Sequence, residues 1–399
     1  MLQDISVFSV AVVFVAINGL TMLAWAAAQG YKMKPTAFAF IVGAIGNIVT
    51  GSVTPISGQS SILTVSHFMK NVNERIGALL LAVIVMIPLG LTGSVTRIAD
   101  FAGVSVVFGM MAGVGLMVSS ISFDMYKQSY RTGAISILSA LATHVIFHHF
   151  FPSPHRLVYI IAVSVTLASL DFVFLQKDPE TGKRGRRINI TKMAMSEGYT
   201  GDMKQSENGK FWTKSYWEDF TLIKPKFSIN AIYFALAFIS LNIGTNIAFG
   251  NITAGMGSTT QNMDHLTVIN SIADIPSIIF GGAPVGAIIS ATAASPWPVM
   301  AGVVMMILCA LLLLLGLMTK AVKFIPVQAI SGFLFVIGFF QTFVPNFRTA
   351  FLYGYTAEAS TAMLITAITK NPFLGLIAGI AVRYIGIFLF PEIQLTMPL

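Results

Sequence analysis

The sequence predicts an all-α polytopic membrane protein of about fourteen transmembrane segments, arranged as a 7+7 inverted repeat with short extended breaks in segments 3 and 10. Three observations lead there. The chain is 55% hydrophobic and only 10% charged, with a mean hydropathy of +0.79. A soluble domain carries about 25% charged residues. Its apolar residues fall into many runs close to the roughly 20 that cross a hydrocarbon core. Finally, two Gly/Pro-broken stretches recur at one spacing in the two halves.

The first run, near 5–28, follows Met1–Asp4, which lacks a basic n-region, and reads as a first span instead of a cleaved signal peptide. Further apolar segments lie near 36–51, 53–69, 76–95, 101–122, 132–150 and 157–175. Together these make a first seven-segment repeat over 1–175. Residues 176–226 form a polar connecting loop holding 11 of the 24 Lys+Arg, including the run Lys183, Arg184, Arg186 and Arg187. Near its end Trp212, Tyr216 and Trp217 mix with Lys214, Glu218 and Asp219, a pairing that favours the membrane–water interface. The second repeat, 227–399, has segments near 227–250, 266–281, 283–294, 299–319, 324–343, 357–370 and 373–391.

Internal symmetry carries the repeat assignment. Gly51–Gly58 is similar to Gly281–Gly286, with Pro55 and Pro284 229 positions apart; Gly109 and Gly338 share that offset. An odd number of spans per repeat inverts the second copy, the plan of many secondary transporters.

Composition excludes several classes. The lone cysteine, Cys309, permits neither a disulfide framework nor a cysteine-based metal site. The net charge of +8 resides largely in loops, where it reports topology, so no nucleic-acid partner is expected. There is no P-loop and no catalytic motif, so neither ATP drive nor an enzyme is expected. His144, His148 and His149 lack a completing carboxylate or cysteine and read as an interfacial cluster, with no metal and no cofactor.

Segments 3 and 10 hold the candidate site. Proline removes a backbone donor and biases the residue before it away from the helix. Unwound backbone survives at membrane depth only when buried in protein or lining a wet cavity. Half-helices starting there would aim N–H groups and positive dipole ends at a polar or anionic ligand. The expected ligand-facing residues are Ser57, Gly58, Gln59, Ser60, Gly286 and Ser290, completed by Asn18, Asn242 and Thr245. Asp274, an ionisable residue within a span, is the candidate coupling group. Asp171 and Glu358 sit near span ends.

The runs Asn270–Asp274 and Ile279–Pro284, Asn242–Thr245, and Thr54–Gly58 resemble, respectively, the segment 9 to segment 10 passage, segment 8 and segment 3 of the nucleobase:cation symporter-2 family of xanthine, uracil and purine permeases. The resemblance implies a core domain (segments 1–4 and 8–11), a gate domain (5–7 and 12–14) and nucleobase transport by alternating access. It also implies acids on segments 8 and 10, where this chain has Leu241 and Ser290. A neutral site would suit an anion, so a sulfate-permease-like transporter or exchanger is the alternative; a non-transporting receptor or subunit on the same scaffold is a third. The expected partners are a small-molecule substrate, H+ or Na+ as co-ion, membrane lipid and a second copy of the chain. The expected location is the cell membrane, as in a bacterial inner membrane. Charge bias places both termini outside, whereas the resemblance implies both inside.

Overall fold

The computed structural model describes residues 2–28, 30–58, 71–177, 217–318, 324–352 and 356–389. Gln59, Ser60, the half-helix expected after them and the basic run at 183–187 lie outside the described residues, as do Trp212, Lys214 and Tyr216.

The first half comprises α1 (Leu2–Ala28), α2 (Met33–Thr50), the two-residue strand β1 (Ile56–Ser57), α3 (Val72–Leu91), α4 (Ser94–Ala102), α5 (Val104–Gln128), α6 (Tyr130–Phe150) and α7 (Arg156–Leu175). The second half comprises α8 (Ile229–Met256), α9 (Met263–Ile278), the strand β2 (Gly286–Ala287), α10 (Pro298–Leu314), α11 (Val327–Leu352), α12 (Thr356–Thr369) and α13 (Pro372–Leu389). Among the described residues, nine helices are long and apolar enough to cross a membrane, and α10 is a shorter apolar helix. The protein is thus a polytopic helical membrane protein. Helices α9 and α12, of 16 and 14 residues, fall short of that length.

Local chemistry sets several boundaries. Segment 4, expected over 76–95, ends at Leu91, because Gly93 turns the chain at φ 71° into the separate helix α4. Segment 12, expected to stop near 343, continues to Leu352. Pro345 has no N–H for the ladder, and a π-helical stretch over Ile337–Phe343 re-registers the helix just before it.

Segment 10 departs most from expectation. No α half-helix follows Pro284. Residues 288–290 are non-helical and Ala291–Ala294 forms a single 3-10 turn, capped by the Ser290 hydroxyl accepting from the Thr292 N–H. The cause lies just downstream: Pro296 disfavours helix at Ser295, and Pro298 then starts α10 at its first position. A turn this short supplies no helix dipole.

Helix α2 packs on α9 and α10, and α3 packs on α8 and α9; α5 packs on α11 and α12, while α6 packs on α7 and α11. Hydroxyls tie the latter group together. Ser122 Oγ donates to the Ser331 carbonyl at 2.7 Å, and the Ser136 hydroxyl accepts from the Gly332 N–H at 2.9 Å. Buried Asp171 holds the start of α6 to the end of α7, accepting from Arg131 Nη2 at 2.7 Å and Gln176 Nε2 at 2.7 Å. Charge-assisted bonds of this kind contribute roughly 1.5–3 kcal/mol. Asp171→Ala is therefore expected to lower the thermal unfolding midpoint in detergent by several degrees; an unchanged midpoint would show that this clamp carries no stability.

The end of the central loop folds back on α2. Asp219 pairs with buried Lys34 at 2.7 Å, and Lys32 Nζ donates to Thr221 Oγ1 at 2.9 Å. Burial lowers the Lys32 ammonium pKa, partly opposed by the Asp219 carboxylate. Phe220 packs between Phe38 and Phe280.

Candidate functional site

Pro55 and Pro284 interrupt segments 3 and 10 as the sequence requires, and the two freed stretches find each other. Strands β1 and β2 pair antiparallel, Ile56 with Ala287 and Ser57 with Gly286. The Ile288 N–H donates to the Pro55 carbonyl at 3.2 Å. Extended backbone inside a helical bundle thereby satisfies part of its hydrogen bonding with the other half of the chain.

A cavity of about 80 Å³ opens beside this crossing. A single water needs roughly 10–15 Å³ on that scale, so the space holds several waters or one small solute. Its polar wall is Asn18 on α1 together with Ser57 at the end of β1 and Gly58 just after it. Its apolar wall comes from Phe249 on α8, Ile288 and Ile289 after β2, and Val118, Ile121, Leu334 and Ile337 on α5 and α11. Among the described residues, none that line it is ionisable. Ser57 is 1% exposed, and its hydroxyl has no hydrogen-bond partner among the described residues. Such a buried orphan costs about 1–3 kcal/mol.

Of the expected site residues, Asn18, Ser57 and Gly58 line the cavity. Gly286 stands one step away, paired with Ser57. Ser290, Asn242 and Thr245 are buried but do not line it. Ser290 is held by Thr292, with the two hydroxyl oxygens 2.7 Å apart. Thr245 Oγ1 donates to the Asn242 carbonyl at 3.2 Å. Asp274 is fully buried on α9, where Oδ1 accepts from the Val285 N–H at 2.8 Å, outside the cavity wall. The histidines cluster where α6 meets α7: the rings of His144 and His148 stack 5.7 Å apart, and Arg156 Nη1 lies 3.1 Å from His148 Nδ1.

Sequence reasoning missed the apolar wall. Phe249 lies seven positions beyond Asn242, two turns along the same helix face, which is the one available signal. Val118, Ile121, Leu334 and Ile337 carry none.

No family model matches the chain, and no curated protein matches it in sequence. Solved structures do. The chain is similar to the transmembrane domain of a cyanobacterium bicarbonate transporter, BicA, at 14% identity and TM-score 0.52, covering 95% of this chain and 98% of that one. It is also similar to SLC26A9, at 12% identity and TM-score 0.51, covering 96% of this chain and 66% of that one. A murine Solute Carrier 26 A9 anion transporter in the inward-facing state aligns at 12% identity and TM-score 0.48, covering 97% and 68%. The first two likenesses show the fold. They overturn the expected membership of the nucleobase:cation symporter-2 family and with it nucleobase transport, since the fold is matched by a bicarbonate transporter and by SLC26A9. The residues agree: Leu241 and Ser290 stand where the resemblance implied acids, and the described residues of the cavity wall include no carboxylate to accept from a base.

Proposed function

We propose that the protein is a secondary transporter of a small inorganic anion, moved across the cell membrane by alternating access and involving no enzymatic step. The observation that carries this reading is the orphan hydroxyl of Ser57, a residue that lines a cavity whose described lining residues carry no charge, at the crossing of two extended strands. A hydroxyl donor without an acceptor suits an anion, and apolar surroundings strengthen such a bond by lowering the local dielectric. Dipoles without a formal positive charge bind weakly, with dissociation constants on the order of millimolar, which permits release on the far side. The fold shared with a bicarbonate transporter is consistent with that class of solute.

The reading includes fourteen segments in two inverted repeats. Helices α1 and α8 begin 227 residues apart, α2 and α9 230, and α6 and α12 226, in keeping with one duplication. It also includes a core domain (segments 1–4 and 8–11) moving past a gate domain (5–7 and 12–14). Residues from α1, α8 and the strands face residues from α5 and α11 across the cavity, as a site between two moving bodies requires.

Ser57→Ala and Asn18→Ala test the site in reconstituted vesicles. A hydrogen bond to a charged ligand contributes about 1.5–3 kcal/mol, so each variant is expected to raise the KM for the transported anion by roughly 10- to 100-fold. Uptake at unchanged KM in both variants would remove the site from the strand crossing. Bicarbonate, sulfate and chloride are the anions to assay.

A further inference from the structure

Asn47 and Asp274 are buried polar residues outside the cavity, one on each of the two helices that lead into the strands. Both are fully buried. Each uses one side-chain atom to hold backbone next to a strand proline. Asn47 Nδ2 donates to the Thr54 carbonyl at 2.9 Å, immediately before Pro55. Asp274 Oδ1 accepts from the Val285 N–H at 2.8 Å, immediately after Pro284. In each residue the remaining oxygen, Asn47 Oδ1 or Asp274 Oδ2, is buried without a hydrogen-bond partner among the described residues.

The reason for such bonds lies in the prolines. A proline offers no N–H, and the residues beside it leave the helical ladder, so nearby backbone groups need partners from side chains. Around Pro284 the supply is dense. The Ala283 N–H donates to Thr36 Oγ1 at 2.8 Å, and Ser277 Oγ donates to the Ala283 carbonyl at 2.9 Å. Helices α2 and α9 pack directly on each other, so one rigid pair anchors the roots of both strands. A residue that served packing alone would not bury an unpaired oxygen, because that oxygen is unfavourable there. The retained atom is the one that holds the strand.

We infer that Asn47 and Asp274 are positioning residues that set the register of β1 against β2 and so place the Ser57 hydroxyl in the cavity. For Asp274 the working group is an acceptor oxygen, which asparagine also has. This inference rests on the anion-transport reading only for its functional readout.

The test compares Asp274→Asn with Asp274→Ala in the full chain. Hydrogen exchange of the 283–288 backbone, followed by mass spectrometry in detergent, reads the pinning without any transport. Exchange is expected to accelerate about tenfold or more in Asp274→Ala and to stay within about twofold of the parent in Asp274→Asn. In vesicles, Asp274→Ala is expected to raise the KM for the transported anion about tenfold, and Asp274→Asn to leave it within about twofold. Unchanged exchange in Asp274→Ala would overturn the inference. So would an Asp274→Asn variant as impaired as Asp274→Ala, since the charge would then be the working feature. Should Asp274→Ala fail to fold, Asn47→Leu read at the Thr54 end gives the same comparison, with unchanged KM counting against the inference. If the parent moves none of the anions while the exchange pattern holds, the transport reading fails and the pinning stands.

Discussion

Replacing Gly19 with leucine is expected to cut anion uptake by more than about 100-fold while leaving the protein folded. Gly19 lines the cavity from α1, and a Cβ built there would stand 2.5 Å from Ser57 Oγ. No real Cβ tolerates that distance, so the Ser57 hydroxyl must rotate or the strand must shift. The rest of a leucine side chain would then fill a cavity of only about 80 Å³. The same crowding makes a sharper prediction for the smaller change. Gly19→Ala alone should impair uptake, but its thermal stability should recover when Ser57→Ala is added. The Cβ would then meet the Cβ at position 57 at 3.7 Å and Cys309 Sγ at 3.9 Å, both ordinary contacts. Equal stability of Gly19→Ala with and without Ser57→Ala would mean that the two side chains do not meet.

Gly282→Val is expected to be the most destabilising single change near the site, costing about 3 kcal/mol or more, the range of severe overpacking. A Cβ at Gly282 would lie 2.8 Å from the Thr36 nitrogen and 2.9 Å from the Ser277 carbonyl oxygen, as well as against the Ser277 hydroxyl. Backbone atoms of α2 and α9 cannot swing aside as a side chain can. The branched residue would prise apart the anchor of β2, where the Ala283 N–H and carbonyl make their bonds to Thr36 and Ser277. Size-exclusion profiles and melting curves in detergent check this. A monodisperse variant melting with the parent would show that the turn has room to relax.

The membrane fold and the position of the strand crossing were legible because both follow from one-dimensional signals. Long apolar runs give the spans, and the fixed spacing of Pro55 and Pro284 marks the two places where a helix must break. Ser57 and Gly58 followed from that break, and Asn18 from being a polar residue within the first apolar run. Other parts were not legible, for separate physical reasons. Ser290 looked like a ligand group, but its hydroxyl is spent on its own turn, a local competition that a pattern of polar residues does not reveal. The expected half-helix after Pro284 was lost to Pro296 and Pro298, which leave room for one 3-10 turn. Asn246 and Asn270, two more polar residues within helices, bond each other and Thr267 to join α8 to α9. Val118, Ile121, Leu334 and Ile337 read in sequence like residues facing lipid, and only tertiary packing turns them toward the cavity. The substrate class was misjudged because resemblance in several short stretches outweighed the two missing acids at Leu241 and Ser290.

Anomalous diffraction from crystals grown in bromide or in selenate would locate a bound anion directly. The expected result is a peak in the cavity beside the β1–β2 crossing, within hydrogen-bonding distance of Ser57 Oγ, for at least one of the two ions. An empty cavity in both, with ordered anions found elsewhere on the protein, would contradict an anion site at the strand crossing.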